Sequence, residues 1–272
     1  MSNSLLPIDA GGTLSSAEHM KKEDDMKIGV ADFGLNVYEG GLFDLEDRLL
    51  KLREIGYDGI ERLEADSPSQ ALERAAIFTR LGMDFGTVRA TSFGSSLQWT
   101  AGFRKEYIWT AASARDMDAF CRQVNFQCQA TAKMNVRTVL HNHLGTVVET
   151  QEQLDHFMAA CPDCGLLLDT AHLAAAGGDP VGTAKKYVQR IIAVHVKDWF
   201  AYEPDDTIKE WHRKGRFCEL GAGNIGLDNH AVLNVLKSAG YNGWIFVEQD
   251  THLRNPYEDL AVSRRYLRES GI

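Results

Sequence analysis

The chain has 272 residues, 44% hydrophobic and 25% charged, an ordinary globular composition with ample length for a sizeable core. Its formal net charge is −9 and it holds no dense Lys/Arg block, which argues against nucleic acid and anionic membrane as partners. No apolar run approaches the roughly 18 residues of a membrane span, no signal-peptide pattern opens the chain, and five irregularly spaced cysteines suit reduced thiols, so a cytoplasmic location is expected. Residues 1–19 are patternless and end in His19-Met20, a familiar cloning junction; they read as a non-native leader, with one domain over 20–272.

From Lys27 onward short β-rich runs alternate with helical patterns. "KIGVADF" (27–33) reads as a first strand. Leu45, Leu49, Leu52 and Ile55 then recur at helical spacing, Gly56 stops the helix, and a second strand is expected at 59–63. A helix at 70–81 and a strand at 84–90 follow, then a short helix in "SSLQWTAGF" and a strand at 106–110. The spacing predicts a helix over 116–134, a strand over 136–140, and a helix over 150–160 opened by Thr150 and Gln153 as a capping box. Strands at 165–168, 191–196 and 244–247 alternate with helices at 181–190, 229–239 and 256–269. Eight strands alternating with eight helices predict a single (β/α)8 TIM barrel, with a doubly wound open sheet as the alternative.

In such a barrel the side chains at the C-terminal ends of the strands converge on the mouth. Strand five ends in His141 and His143, followed by Glu149; strand six ends in Asp169 with His172 beyond it. Strand seven carries His195, Lys197 and Asp198, and strand eight carries Glu248 and Asp250. Alternation along a strand puts His141 with His143, and His195 with Lys197, on shared faces. A lone Asp169 reads best as a helix cap and a lone His195 as a satisfied core residue. Their recurrence at four successive strand ends, after aliphatic runs, points to a divalent-metal site. Mixed imidazole and carboxylate donors suit Mn²⁺, Co²⁺, Fe²⁺ or Zn²⁺ better than an all-oxygen Mg²⁺ site.

"HNHLGTVVET", "LLLDTAHLAAAGGDP", "HVKDW", "LGAGNIG" and "WIFVEQD", in this order, resemble the sugar isomerase/epimerase superfamily of xylose isomerase-like barrels. Within it the pattern is similar to the inosose dehydratases, which pair H-x-H-x-G-T with L-D-T-x-H-L-x-x-A-G-G-D-P. The resemblance is clearest over 135–250 and looser over 27–134. It implies a metal quartet of Glu, Asp, His and Glu from strands five to eight. Asp169, His195 and Glu248 match three members. At strand five His141 stands where the glutamate is expected, so the fourth ligand is either Glu149, eight residues on, or His141; Glu149 is favoured, because it leaves the histidines for proton chemistry. Manganese is the favoured ion.

The resemblance implies dehydration of an inosose-like keto-polyol through a metal-stabilised enediolate. His141, His143 and His172 are candidate proton carriers, and Lys197 is a candidate for steadying an oxyanion. Ketose epimerisation or isomerisation, or elimination from a 3-keto-sugar, could use the same site; a sugar-binding barrel without catalysis is the reading from another class. An apurinic endonuclease would need extra histidines from the early strands, yet none occurs between His19 and His141. The expected partner is a small polyhydroxy ketone without phosphate, since only Lys214, Arg216 and Arg254 lie near the last two strand-end loops; a homo-oligomer is compatible with the sequence. "GAGNIG" (221–226) lies before the last helix of the repeat and reads as a turn, not a dinucleotide fingerprint. "CPDC" (161–164) falls on the face opposite the mouth and reads as a connection. Glu61 and Arg89 could bind hydroxyls or pair with each other.

Overall fold

The structure, a computed structural model, describes residues 26–31, 33–37 and 44–272. The leader expected over 1–19 lies outside them. The barrel strands are β1 (Lys27–Ala31), β2 (Gly59–Ala65), β3 (Asp84–Ala90), β4 (Tyr107–Trp109), β5 (Arg137–His141), β6 (Gly165–Asp169) and β7 (Ile191–Val196). A two-stranded excursion, β8 (Asp198–Ala201) and β9 (Gly215–Cys218), intervenes before the last barrel strand, β10 (Trp244–Glu248). Parallel pairing runs in the order β3-β2-β1-β10-β7-β6-β5-β4. The ladder turns almost full circle, and the remaining seam is bridged by the Thr87 hydroxyl, which donates to the Tyr107 carbonyl at 2.6 Å. The expected (β/α)8 barrel is therefore found, nearly closed.

The helices between the strands are α1 (Phe33–Val37), α2 (Leu45–Ile55), α3 (Pro68–Leu81), α4 (Phe93–Gly102) and α5 (Met117–Ala132). They continue as α6 (Gln151–Ala160), α7 (Thr170–Ala175), α8 (Pro180–Tyr187), α9 (Asn229–Ser238) and α10 (Pro256–Glu269). Local chemistry sets their ends. Asp44, Ser67, Ser92 and Asp116 accept from backbone N–H groups at the starts of α2 to α5, and Thr150 and Gln153 form the expected capping box on α6. Gly56, at φ +103°, ends α2 in the left-handed conformation that glycine adopts without steric cost.

Three features depart from the sequence reading. The first strand stops at Ala31 and Phe33 already opens α1. The short helix α7 starts directly on the end of β6, and the antiparallel pair β8–β9 occupies what reads as loop.

Strand alternation sorts the core. Ile28, Val30, Leu140, Leu166, Leu168, Val194, Ile245 and Val247 point outward and pack with the inner faces of the helices. Ala31, Tyr107, Val139, Leu167, Ala193 and Phe246 form a separate cluster in the barrel interior. Phe246 is fully buried there, and the glycines around it leave room for its ring. A β-carbon at Gly29 would lie 2.7 Å from that ring, and one at Gly86 2.8 Å. The next inward positions toward the mouth are His141, Asp169, His195 and Glu248. The aliphatic floor thus lies one pleat beneath the polar layer.

Candidate metal centre

Pairing register brings the polar layer together. Asp169 stands beside His195 across the β6–β7 ladder, and Glu248 follows Val247, which pairs with Val196. One donor atom from each of His141, Asp169, His195 and Glu248 lies within 4.8 Å of all the others, and the last three residues are buried. His141 Nε2 approaches Asp169 Oδ2 at 3.3 Å. Asp169 does two jobs at once: Oδ1 accepts from the His172 N–H at 2.8 Å and caps α7, while Oδ2 faces the cluster. The cap is thus present, and the same carboxylate still presents an oxygen to the donor cluster.

Glu149, favoured as the fourth member, is outside the cluster. Its carboxylate accepts from the Gly145 N–H at 3.0 Å and holds the turn after β5. His141 takes that place because it is the inward residue two positions beyond Val139, whereas Glu149 follows a turn that has already left the barrel axis.

His195 is held from both sides. Its Nε2–H donates to Glu61 Oε2 at 3.0 Å. Its Nδ1 is buried, 2.8 Å from Glu248 Oε2 and 3.7 Å from Asp169 Oδ2, yet aligned for a hydrogen bond with neither. Burial opposes charge on this imidazole, but Glu248 and Glu61 outweigh it and raise its pKa well above the usual value, so the ring favours a second proton on Nδ1, which a cation at the cluster would displace. Burial likewise opposes ionisation of Asp169 and Glu248. For Asp169, Lys197 and the rings of His141 and His195 win; for Glu248, His195 and Lys197 do; both carboxyls sit well below their ordinary range.

Lys197 is a buried member of the site, not a surface lysine. Its Nζ lies 2.9 Å from Glu248 Oε2, 2.8 Å from Asp250 Oδ2 and 3.4 Å from His172 Nε2. Burial disfavours the ammonium, but Glu248, Asp250 and Asp169 keep it charged. His172 is buried with both ring nitrogens facing donors, Lys197 and the Leu144 N–H at 3.3 Å; burial, against the pull of Asp169, pushes its pKa down to about 2. His143 packs on it with ring centroids 3.7 Å apart and donates from Nδ1 to the Leu144 carbonyl at 2.6 Å. Nε2 of His143 therefore carries the lone pair.

The structure also places one residue that the sequence reading left unassigned and several that it had read otherwise or only in part. Asn142, buried between the two histidines, bridges strand ends: its amide donates to Asp169 O at 3.0 Å and accepts from Asp169 N at 2.9 Å. Glu61 does not pair with Arg89, which meets Glu64 at 3.4 Å; Glu61 is fully buried and accepts from Tyr107, Trp109 and His195. Asp198 turns away from the mouth and accepts from the N–H groups of Trp199, Gly221 and Gly223, pinning "GAGNIG" as the expected turn. The CPDC thiols are buried and free on the opposite face, where Arg190 binds the carbonyls of Cys161 and Cys164.

Two imidazoles and two carboxylates converging on one point, with a buried nitrogen left without a hydrogen bond, fit a divalent ion of the Mn–Zn series. Beside the cluster opens a cleft of ≈1180 Å³ with Trp109, His141 and His143 on its wall.

The description "Xylose isomerase-like TIM barrel" matches residues 86–270, more than half of the chain. The chain belongs to this family. An inosose dehydratase of Clostridium botulinum is 36% identical over 156 residues, covering 53% of this xylose isomerase-like barrel and 51% of the relative. The chain thus spans about half the length of that relative. Another inosose dehydratase, from Lactiplantibacillus plantarum, is 27% identical over 253 residues, covering 86% of this chain and 83% of that one. Among solved structures, 3-keto-D-glucoside 4-epimerase of E. coli superposes with a TM-score of 0.64 at 16% identity, covering 90% of this chain and 100% of that one, a likeness of fold. Among the described residues no helix is long and apolar enough to cross a membrane.

Proposed function

We propose that this xylose isomerase-like barrel is a metal-dependent dehydratase of an inosose-like keto-polyol, with His141, Asp169, His195 and Glu248 as ligands of one divalent ion, manganese by preference. The observation that carries this reading is the convergence of those four donors beside a cleft containing His143. The names of the curated relatives support the substrate class. A divalent ion bound there supplies Lewis acidity, which withdraws charge from a ketone and acidifies the adjacent C–H.

The chain's own groups do the rest. His143, with its lone pair on Nε2, takes the proton from the carbon next to the ketone. It then returns that proton to the β-hydroxyl, which leaves as water. Lys197, kept charged by Glu248 and Asp250, steadies developing negative charge on oxygen and has no lone pair with which to accept a proton. One proton carrier serves elimination, whereas inversion of a carbon needs a second; this favours dehydration over epimerisation. His172 stays neutral and orients His143. Asp116, Asp118 and Glu152 outnumber Arg115 on the cleft wall, which favours an uncharged polyol over a phosphorylated one. Five buried, free cysteines suit a reducing compartment, and we place the enzyme in the cytoplasm.

The test is incubation of Mn²⁺-loaded protein with keto-inositol in D₂O, followed by NMR. Loss of water with formation of a dione is expected. Deuterium at an inverted carbon without water loss would instead make the protein an epimerase, and unchanged substrate would contradict catalysis on this class.

A further inference from the structure

Glu61 lies on β2, on the far side of His195 from Asp169 and Glu248. It is fully buried, and its only hydrogen-bond neighbours among the described residues are donors. Oε1 accepts from Trp109 Nε1 at 2.9 Å and from the Tyr107 hydroxyl at 3.1 Å, and Oε2 accepts from His195 Nε2 at 3.0 Å. A carboxyl surrounded by three donors has no acceptor for a proton of its own, so it stands as a carboxylate. Its placement costs desolvation that an apolar side chain would avoid, and Tyr107 and Trp109 alone would be satisfied by a neutral amide. What requires the charge is the third partner.

We infer that Glu61 is a positioning residue for the metal centre: it fixes the proton of His195 on Nε2 and so presents the Nδ1 lone pair to the ion. This inference rests on the metal-site reading above. Its physics is that of a ligating imidazole whose other nitrogen donates to a carboxylate, which sets the ring orientation and raises the basicity of the ligating nitrogen. The same carboxylate couples the centre to the cleft. Trp109, whose indole it holds, packs 4.7 Å from the His141 ring and 5.7 Å from the His195 ring and lines the cleft. Glu61 is neither a member of the donor cluster nor a lining residue of the cleft, so it acts through these residues.

Glu61→Gln separates charge from packing. The amide oxygen can still accept from Tyr107 and Trp109, but the amide –NH₂ then faces the His195 N–H, donor against donor. His195 must rotate or move its proton to Nδ1, and either change removes its lone pair from the ion. Glu61→Asp keeps the carboxylate on a shorter stem. The experiment is calorimetric titration of the three proteins with Co²⁺, with circular dichroism as the folding control. It is paired with ¹H–¹⁵N spectra of the Zn²⁺-loaded, histidine-labelled proteins. We expect Glu61→Gln to bind Co²⁺ about 10–100-fold more weakly, to lose the exchange-protected Nε2–H signal of His195, and to keep its fold. Glu61→Asp should bind more tightly than Glu61→Gln and retain that signal. If wild type binds Co²⁺ and Glu61→Gln matches it within twofold, or if Glu61→Asp binds no better than Glu61→Gln, the role of Glu61 is overturned while the metal site stands. If wild type itself binds no divalent ion, both readings fall.

Discussion

His195 has a different kind of partner on each nitrogen: a carboxylate that accepts its proton on one side, and on the other a gathering of donor atoms with which it makes no aligned hydrogen bond. That asymmetry is what the proposed ligand role of His195 requires and what a merely satisfied core histidine would not show. The same test divides His141 from Glu149. His141 points inward at Asp169, whereas Glu149 is engaged by the Gly145 amide. His141→Ala is therefore expected to weaken Mn²⁺ or Co²⁺ binding by at least about tenfold, since loss of a ligand should exceed the loss of an outer partner. Glu149→Ala should leave affinity within twofold of wild type, and isothermal titration of both variants checks the pair. The donors themselves were legible in the sequence, because imidazoles and carboxylates at the ends of aliphatic strands have little structural reason to recur. Glu61 was not. In "GIERLE" it reads as a residue that could bind hydroxyls or pair with Arg89, while its actual partner, His195, lies 134 residues away. Only the barrel's closure brings them together.

At the scale of elements, the barrel depends most on the seam where the backbone ladder stops. Between β3 and β4 the Thr87 hydroxyl bonds to the Tyr107 carbonyl, both buried. Thr87→Val preserves shape and leaves that carbonyl without its partner, so it should cost about 1–3 kcal/mol in urea denaturation. At the N-terminal end of β3 Asp84 is paired with Lys27 and Lys105. Burial opposes its ionisation, but the two lysines outweigh it and lower its pKa below the ordinary value. A depressed folded pKa gives stability that is fully present above the unfolded carboxyl pKa and is lost as pH falls through the folded one. The partly exposed side chain limits this to about 1 kcal/mol or less. Accordingly, Asp84→Asn should lower the urea midpoint near pH 7, and the gap to wild type should close below about pH 4. Periodicity made the strand and helix alternation readable, and Thr150 with Gln153 announced its own helix start. The pair β8–β9 was unreadable because each strand has four residues and a polar connection, too short for a period to emerge. The start of α7 was hidden for another reason: Asp169 ends a strand and caps a helix at the same residue.

For the whole molecule, the fold serves to bring side chains from β5, β6, β7 and β10 to one point above a plug of Phe246, Val139 and Leu167. The acidic balance of the chain suits such a site: Asp169, Glu248, Asp250 and Glu61 gather around Lys197 and His195, leaving net negative charge for a dication. The proposed function requires that this point hold one divalent ion on which dehydration depends. The direct measurement is keto-inositol turnover by exhaustively chelated protein as Mn²⁺ is titrated back. Activity should be absent without metal and return in proportion to added ion, reaching its plateau at about one equivalent per chain. Turnover by the metal-free protein at the rate of the reloaded one would contradict the claim.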